Sequence, residues 1–128
     1  VERLAYVPHS QAVELISDSD ALLLIVDDIP SVEHIVPGKV YEYLGAMRPI
    51  LAIAEPHGAI GELLKETSGG EAVAQSDIEG QARVIKGFYE NWLRGDSAAS
   101  QMDKEKISQY ERREATRKLA NVFDSILK

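Results

Sequence analysis

Gly38, Lys39 and Glu42 are the residues whose types and spacing best suit binding chemistry. They follow Pro37, so the sequence predicts a Pro-Gly turn that opens a short helix carrying the lysine and the carboxylate. The first N–H groups of a helix lack partners within it, and the helix dipole places positive charge at that end. Such a turn accommodates phosphate or another anion. On spacing alone, a capped surface turn is the commoner outcome of a Gly-Lys pair.

The elements that would position this helix alternate between short apolar strands and helices. Four strand–helix pairs in succession predict an α/β fold with a three-layer parallel sheet of Rossmann-like type. We expect strands at residues 4–7, 21–26, 50–54 and 71–74, and helices at 11–17, 38–47, through 63–64, from 77 to about 93, and at 111–127. Residues 95–100 are small and polar and predict a linker.

Apolar patterning predicts which faces of these elements are buried. The run 21–26 is apolar throughout, which is typical of a strand covered on both faces. Ser10 and Asp77 are predicted to cap the helices that follow them. The two long helices carry stripes that we expect to be buried: Ala82, Val84, Ile85, Phe88, Tyr89, Trp92 and Leu93 in one, and Ala115, Leu119, Val122, Phe123 and Ile126 in the other.

Ligands of parallel α/β sheets bind beyond the carboxyl ends of the strands. In this sequence that rule selects three loops, at residues 8–10, 27–39 and 55–61. The second loop leads directly into the Gly38 turn. We therefore expect the functional residues to come from these loops.

Composition and charge limit the possible functions. The 128 residues suffice for one hydrophobic core, and the net charge of −7 is uneven, with −9 over residues 1–101 and +2 over residues 102–128. An acidic body argues against a binder of duplex nucleic acid. The basic tail is interpreted as a solvated helix face, with a peripheral contact to an anionic membrane as the alternative. The absence of cysteine fits a reducing compartment, so we expect a cytoplasmic location.

Two stretches of the sequence resemble a known family: YVPHSQAVELISDSDALLLIV, and then PGKVYEYLGAMRPILAIAEPHG before a Gly-Gly turn and two closing helices. They are similar to the C-terminal part of family-4-like glycosyltransferases, two-domain enzymes of the so-called B-type fold. In that family the C-terminal domain binds the nucleotide-sugar donor. The resemblance implies that residues 1–128 are one donor-binding, Rossmann-like domain with a closing helix at 111–127, and that the enzyme transfers a glycosyl unit with retention of configuration.

The resemblance also implies roles for individual residues. Glu42 matches the carboxylate that accepts hydrogen bonds from the two ribose hydroxyls, a role that suits its paired oxygens. Gly38 and Lys39 match the backbone and side chain that face the donor diphosphate. Val7, at the end of the first expected strand, matches the region that borders the base. No residue of the chain is assigned a catalytic role.

The donor-sugar contact is where the sequence departs from the family. Val36 and Pro37 match backbone that faces the sugar and the diphosphate. Many members carry a second glutamate eight residues before the ribose glutamate, and this chain has His34 there with Glu33 beside it. Either Glu33 contacts the donor sugar instead, or this branch of the family recognises its donor sugar through different contacts.

A second departure concerns strands that the family has and this sequence lacks. In the strand order 3-2-1-4-5-6, the expected strands at 4–7 and 21–26 would flank two missing strands with a glycine-rich turn and basic residues. The acceptor domain is also missing, so we expect an incomplete sheet and a fragment that is inactive alone. An exposed sheet edge would be open to a second copy of the chain.

Two alternatives stay open beside glycosyl transfer. A nucleotide-sugar 2-epimerase shares the fold, and a non-catalytic binding or assembly module would retain the sheet without turnover. Asp27 and Asp28 resemble the acid pocket of phospho-receiver domains, but the strand at 71–74 is followed by Gln75, Ser76 and Asp77, and the next lysine is Lys86 inside a helix, which argues against a receiver. The scattered histidines have no metal-ligand spacing, so we expect no metal and no cofactor apart from the donor substrate.

Overall fold

The computed structural model describes residues 2–26 and 32–127. These residues form α1 (His9–Asp18), β1 (Leu22–Ile25), α2 (Gly38–Gly45), β2 (Ile50–Ile53), α3 (Ala59–Thr67), β3 (Gly70–Val73), α4 (Ile78–Leu93), α5 (Ala98–Gln101), α6 (Lys104–Ser108) and α7 (Arg112–Ile126). A 3₁₀ turn, Val32–His34, precedes α2. Asp27 and Asp28 lie outside the described residues.

The three described strands form a parallel sheet in the order β1-β2-β3. The register pairs Leu22 with Ile50, and Ile50 in turn with Gly70. Parallel neighbours require a crossover connection, and α2 and α3 supply the two crossovers. The expected α/β fold with a parallel sheet is confirmed, and this arrangement is compatible with a Rossmann-like fold.

The two faces of the sheet bury separate apolar cores, which makes the molecule three-layered. On one face, Leu22, Ile50 and Ala72 pack with residues of α2, α3 and α6, and Ile16 of α1 joins them; we call this cluster the main core. On the other face, Leu51 and Val73 pack with Val84 of α4. Alternate strand residues point to opposite faces, so β2 and β3 contribute to both cores, whereas β1 contributes only to the first.

The connections fix which edge of the sheet each helix begins at. Because α2 and α3 join parallel strands, both helices start at the carboxyl edge of the sheet and end at its amino edge. At the amino edge, the guanidinium of Arg48 donates two hydrogen bonds to the Ser17 carbonyl oxygen, with Nε at 2.9 Å and Nη2 at 2.5 Å. This contact ties the end of α1 to the turn between α2 and β2.

Two predictions about the start of the chain are wrong. Residues 4–7 form no strand, and the side chain of Tyr6 is 95% exposed. A strand needs a partner for its backbone groups, and within the described residues β1 pairs only with β2. Ser10 is not a cap: α1 begins at His9, Pro8 takes the N-cap position, and no side chain caps the helix. The Asp77 cap is confirmed, because its carboxylate accepts from the Gly80 N–H at 2.9 Å.

The predicted burial is wrong on one side of the molecule. Leu23 and Ile25 of β1 are 54% and 68% exposed, so the strand is covered on one face only. In α4, Val84 is buried and Phe88 half-buried, whereas five members of the expected stripe are exposed: Ala82, Ile85, Tyr89, Trp92 and Leu93. Of these, Ile85, Tyr89 and Trp92 line an apolar cavity together with the exposed Leu23 of β1.

The C-terminal region also differs from expectation. The predicted linker at 95–100 contains the start of α5, and the sequence pattern missed α6, which buries Ile107 in the main core. The expected stripe of α7 is exposed along its length, and none of the described residues of that helix is buried. The helix lies where the pattern predicts it, because the amphipathic period belongs to the sequence and is present whether or not a partner covers the apolar face.

Candidate functional site at the carboxyl edge of the sheet

A cavity of about 400 Å³ opens at the carboxyl edge of the sheet. Val26 lines it after β1, Ala54 after β2, and Ala74 and Ser76 after β3, and the start of α3 closes its floor. Glycine, alanine and larger aliphatic residues make up most of its lining. The location is the one that parallel α/β sheets use for ligands.

Close backbone packing at Gly58 gives the cavity its shape. A Cβ atom on Gly58 would lie 3.0 Å from the carbonyl oxygen of Glu33 and 3.2 Å from that of Glu55. The absence of a side chain therefore lets the 3₁₀ turn and the loop after β2 meet at the start of α3. At Gly61 a Cβ atom would lie 1.9 Å from the Pro56 carbonyl oxygen, so the loop also folds directly onto the first turn of that helix.

Glu33 and Glu55 are the charged side chains among the described residues that line this cavity, and neither lysine nor arginine is among them. Glu33 lies 3.5 Å from the imidazole of His34, whose side chain is 80% exposed. The Glu55 carboxylate accepts a long hydrogen bond of 3.4 Å from the His57 N–H. The lining therefore includes two residues that carry carboxylates, and carboxylate acceptors suit hydroxyl groups better than they suit phosphate.

The helix start at Gly38 lies at the same edge of the sheet but outside the cavity walls. Pro37 is the N-cap and contributes no side-chain acceptor, and a Cβ atom on Gly38 would meet no other part of the described chain within 4 Å. Lys39 and Glu42 are both exposed and lie three residues apart, hence on one side of the helix. Within the described part of the chain neither forms an ion pair. The first turn of α2 is thus open to a ligand.

The rest of α2 fixes the orientation of this exposed side. Val40 and Leu44 are fully buried in the main core, so the opposite side of the helix must face outward. Burial raises the pKa of the Tyr43 phenol, and the neighbouring carboxylate of Glu42 raises that pKa further. The Glu42 carboxylate therefore lies close enough to Tyr43 to influence its ionisation.

The structure places the remaining predicted residues in different surroundings. Val36 packs against the main core and Pro37 is half-buried, so both support the turn rather than present side chains to a ligand. Val7 is half-buried just before α1. Of the expected sugar contacts, Glu33 lines the cavity, and His34 is paired with it from a more exposed position.

Sequence reasoning missed three residues of the cavity: Glu55, Gln75 and Ser76. Glu55 falls in a loop that the carboxyl-end rule selected, but no motif drew attention to its side chain. The same rule applies to the loop after β3, which supplies Gln75 and Ser76. Applying it to every strand, including the last, would have found them.

Further features of the described residues bear on function. No cluster of three or more metal-ligand side chains occurs in residues 2–26 and 32–127. No helix in that part of the chain is both long and apolar enough to cross a membrane. Comparisons of the chain with models of protein families, with curated proteins and with solved structures found no match.

Proposed function

We propose that this chain binds a nucleotide sugar at the carboxyl edge of its sheet, as the donor half of a glycosyltransferase. The observation that carries the proposal is the placement of two complementary features at that edge. One is the open start of α2 with Lys39 and Glu42, and the other is the cavity with Glu33 and Glu55. The first suits a phosphate and a ribose, and the second suits a sugar.

The start of α2 would hold the nucleotide. Its unpaired N–H groups and the Lys39 ammonium would face the diphosphate, as helix starts do in many phosphate sites. Glu42 follows one turn later on the same side, where its two oxygens would accept from the ribose hydroxyls. The opposite order, with the ribose at the helix start, would leave the carboxylate near the phosphates and is disfavoured by charge.

The cavity would hold the donor sugar. Its carboxylates accept hydrogen bonds from hydroxyl groups, and Gly58 fixes the backbone of both glutamates against α3. Breaking the anomeric bond would develop negative charge on the departing diphosphate. The preformed N–H groups of α2 and Lys39 would stabilise that charge, whereas Glu42 would act by positioning. The acceptor site would come from residues beyond this chain, and retention of configuration follows from the family resemblance.

Calorimetry with UDP, GDP and ADP sugars tests the nucleotide site. We expect the variant Glu42→Ala to bind the preferred nucleotide at least about tenfold more weakly, because a hydrogen bond to a charged group contributes about 1.5–3 kcal/mol. Glu105→Ala is the matched control, since it removes an exposed helix carboxylate from α6. Equal affinity of Glu42→Ala and the unmodified chain would overturn the ribose assignment.

Product analysis separates the activities that share this site. With donor and acceptor present, the complete enzyme should release nucleoside diphosphate and form a glycoside. Conversion of the donor without an acceptor would indicate a 2-epimerase instead. Nucleotide affinity without either reaction would identify a binding module.

A further inference from the structure

An apolar groove lies on the sheet face that carries α4. Leu23 and Leu51 form its floor, and Ile85, Phe88, Tyr89 and Trp92 form one wall, around a cavity of about 480 Å³. The rings of Tyr89 and Trp92 stack with their centroids 6.0 Å apart, and Trp92 is 56% exposed. We call this the β1–α4 groove.

The groove is wide enough to hold one helix. On this face α4 packs on β2 and β3, and no element formed by residues 2–26 and 32–127 covers β1. Adjacent strands lie about 4.8 Å apart and a helix is about 10 Å wide, so a helix beside α4 would cover β1 and extend just past it. The groove therefore fits a helix better than it fits a strand or a small ligand.

The chain itself has a helix with an uncovered apolar stripe. Leu119, Val122, Phe123 and Ile126 of α7 recur at helical spacing and are all more than half exposed. Asn121 lies on the opposite side of the helix. A stripe of this width is typical of a helix that packs against a partner along one face.

The α7 helix cannot reach the groove of its own chain while α6 stays in place. Ile107 is buried on the other face of the sheet, and the Tyr110 hydroxyl donates to Glu66 of α3 at 2.9 Å. Residues 109–111 join α6 to α7 and span at most about 10 Å. The helical layers on the two faces are on the order of 20 Å apart, because each lies about 10 Å from the sheet. A second copy has no such restriction.

We propose that α7 of a second copy occupies the β1–α4 groove, and that the exchange is reciprocal. Each copy then contributes one helix and one groove, which closes a twofold dimer without leaving either face open. Charge favours the same pairing. The α7 helix carries four basic and two acidic side chains, whereas residues 1–101 carry a net charge of −9, and Asp20 lies on the rim of the groove. The inference does not depend on the proposed function.

Site-specific disulfide formation tests the contact, since the chain has no cysteine of its own. The chain that carries Leu23→Cys is first converted to a mixed disulfide with an aromatic thiol. It is then mixed with a second chain that carries Phe123→Cys, whose thiolate displaces the aromatic thiol. We expect the covalent heterodimer to form at least about tenfold faster than with Asn121→Cys, because docking raises the local concentration of the facing thiol. Equal rates for the two partners would overturn the proposal.

Light scattering of the cysteine-free chain supplies a second measurement. The unmodified chain and Asn121→Asp should be dimeric at micromolar concentration, and Phe123→Asp should be monomeric with an unchanged circular dichroism spectrum. Because Phe123 is exposed in the isolated chain, its replacement does not disturb the fold. A monomeric unmodified chain, or a dimer that survives Phe123→Asp, would show that α7 does not fill the groove.

Discussion

Gly58 lies directly against the backbone of Glu33, so close that a side chain on the glycine would require that backbone to shift. A Cβ atom there would be 3.0 Å from the Glu33 carbonyl oxygen and 3.2 Å from its Cα. The contact joins two segments 25 residues apart and brings the 3₁₀ turn onto the start of α3. It thereby sets the width of the carboxyl-edge cavity.

Replacement of Gly58 should disturb both stability and the cavity. We expect Gly58→Ala to lower the free energy of unfolding by about 1–3 kcal/mol, because the methyl group must displace two backbone segments. Urea denaturation measures the loss. Gly87→Ala is the matched control: nothing lies within 4 Å of a Cβ atom there, and it lies inside α4. It should stabilise the chain by about 0.5–1 kcal/mol. Equal effects at the two sites would contradict this account of the turn.

The sequence predicted the elements of this fold better than their burial. Each described strand overlaps an expected one, although the continuous apolar run of β1, which predicted cover on both faces, is covered on one face only. Residues 4–7 carry the same pattern and form no strand, because pairing depends on a partner that local sequence does not reveal. The predicted burial of the stripes on α4 and α7 is wrong for a related reason: a hydrophobic period indicates an apolar face but not what covers it.

The two predicted helix caps make a matched experimental pair. Asp77→Ala should lower the free energy of unfolding by about 1 kcal/mol, because it removes the acceptor of the Gly80 N–H. Ser10→Ala should change it little, since Ser10 lies inside α1 and accepts no capping bond. Thermal denaturation of both variants decides the question. A larger loss for Ser10→Ala would mean that α1 begins at Gln11, two residues later than the structure places it.

The candidate site was predictable in its location and not in its composition. The rule that ligands bind beyond the carboxyl ends of the strands selected the loop of Glu55, because all strands of a parallel sheet end at the same edge. The position of Glu33 depends on the backbone contact with Gly58, which joins residues distant in sequence. A glycine at position 58 has no local signature that distinguishes such a contact from an ordinary turn.

Arg48 should contribute to the anchoring of α1. Its guanidinium donates two hydrogen bonds to the Ser17 carbonyl, whereas α1 has no capping side chain at its other end. We expect Arg48→Met to lower the free energy of unfolding by about 1.5–3 kcal/mol and to speed amide hydrogen exchange throughout α1. Arg83→Met is the control, because Arg83 forms an exposed ion pair with Glu71 on the far side of the sheet. Unchanged exchange in α1 would show that its apolar contacts suffice.

Tyr110 should make the stability of the chain depend on alkaline pH. Burial raises the pKa of its phenol, and the hydrogen bond and charge of Glu66 raise it further. The folded chain therefore retains this proton to a higher pH than the unfolded chain does. The stabilisation is complete below the unfolded value of about 10 and is lost as pH rises through the folded value. Unfolding in urea should distinguish the unmodified chain from Tyr110→Phe at about pH 7, and the difference should shrink by about pH 11. A difference that stays constant over this range would show that the Tyr110 hydroxyl keeps its proton equally well in the unfolded chain.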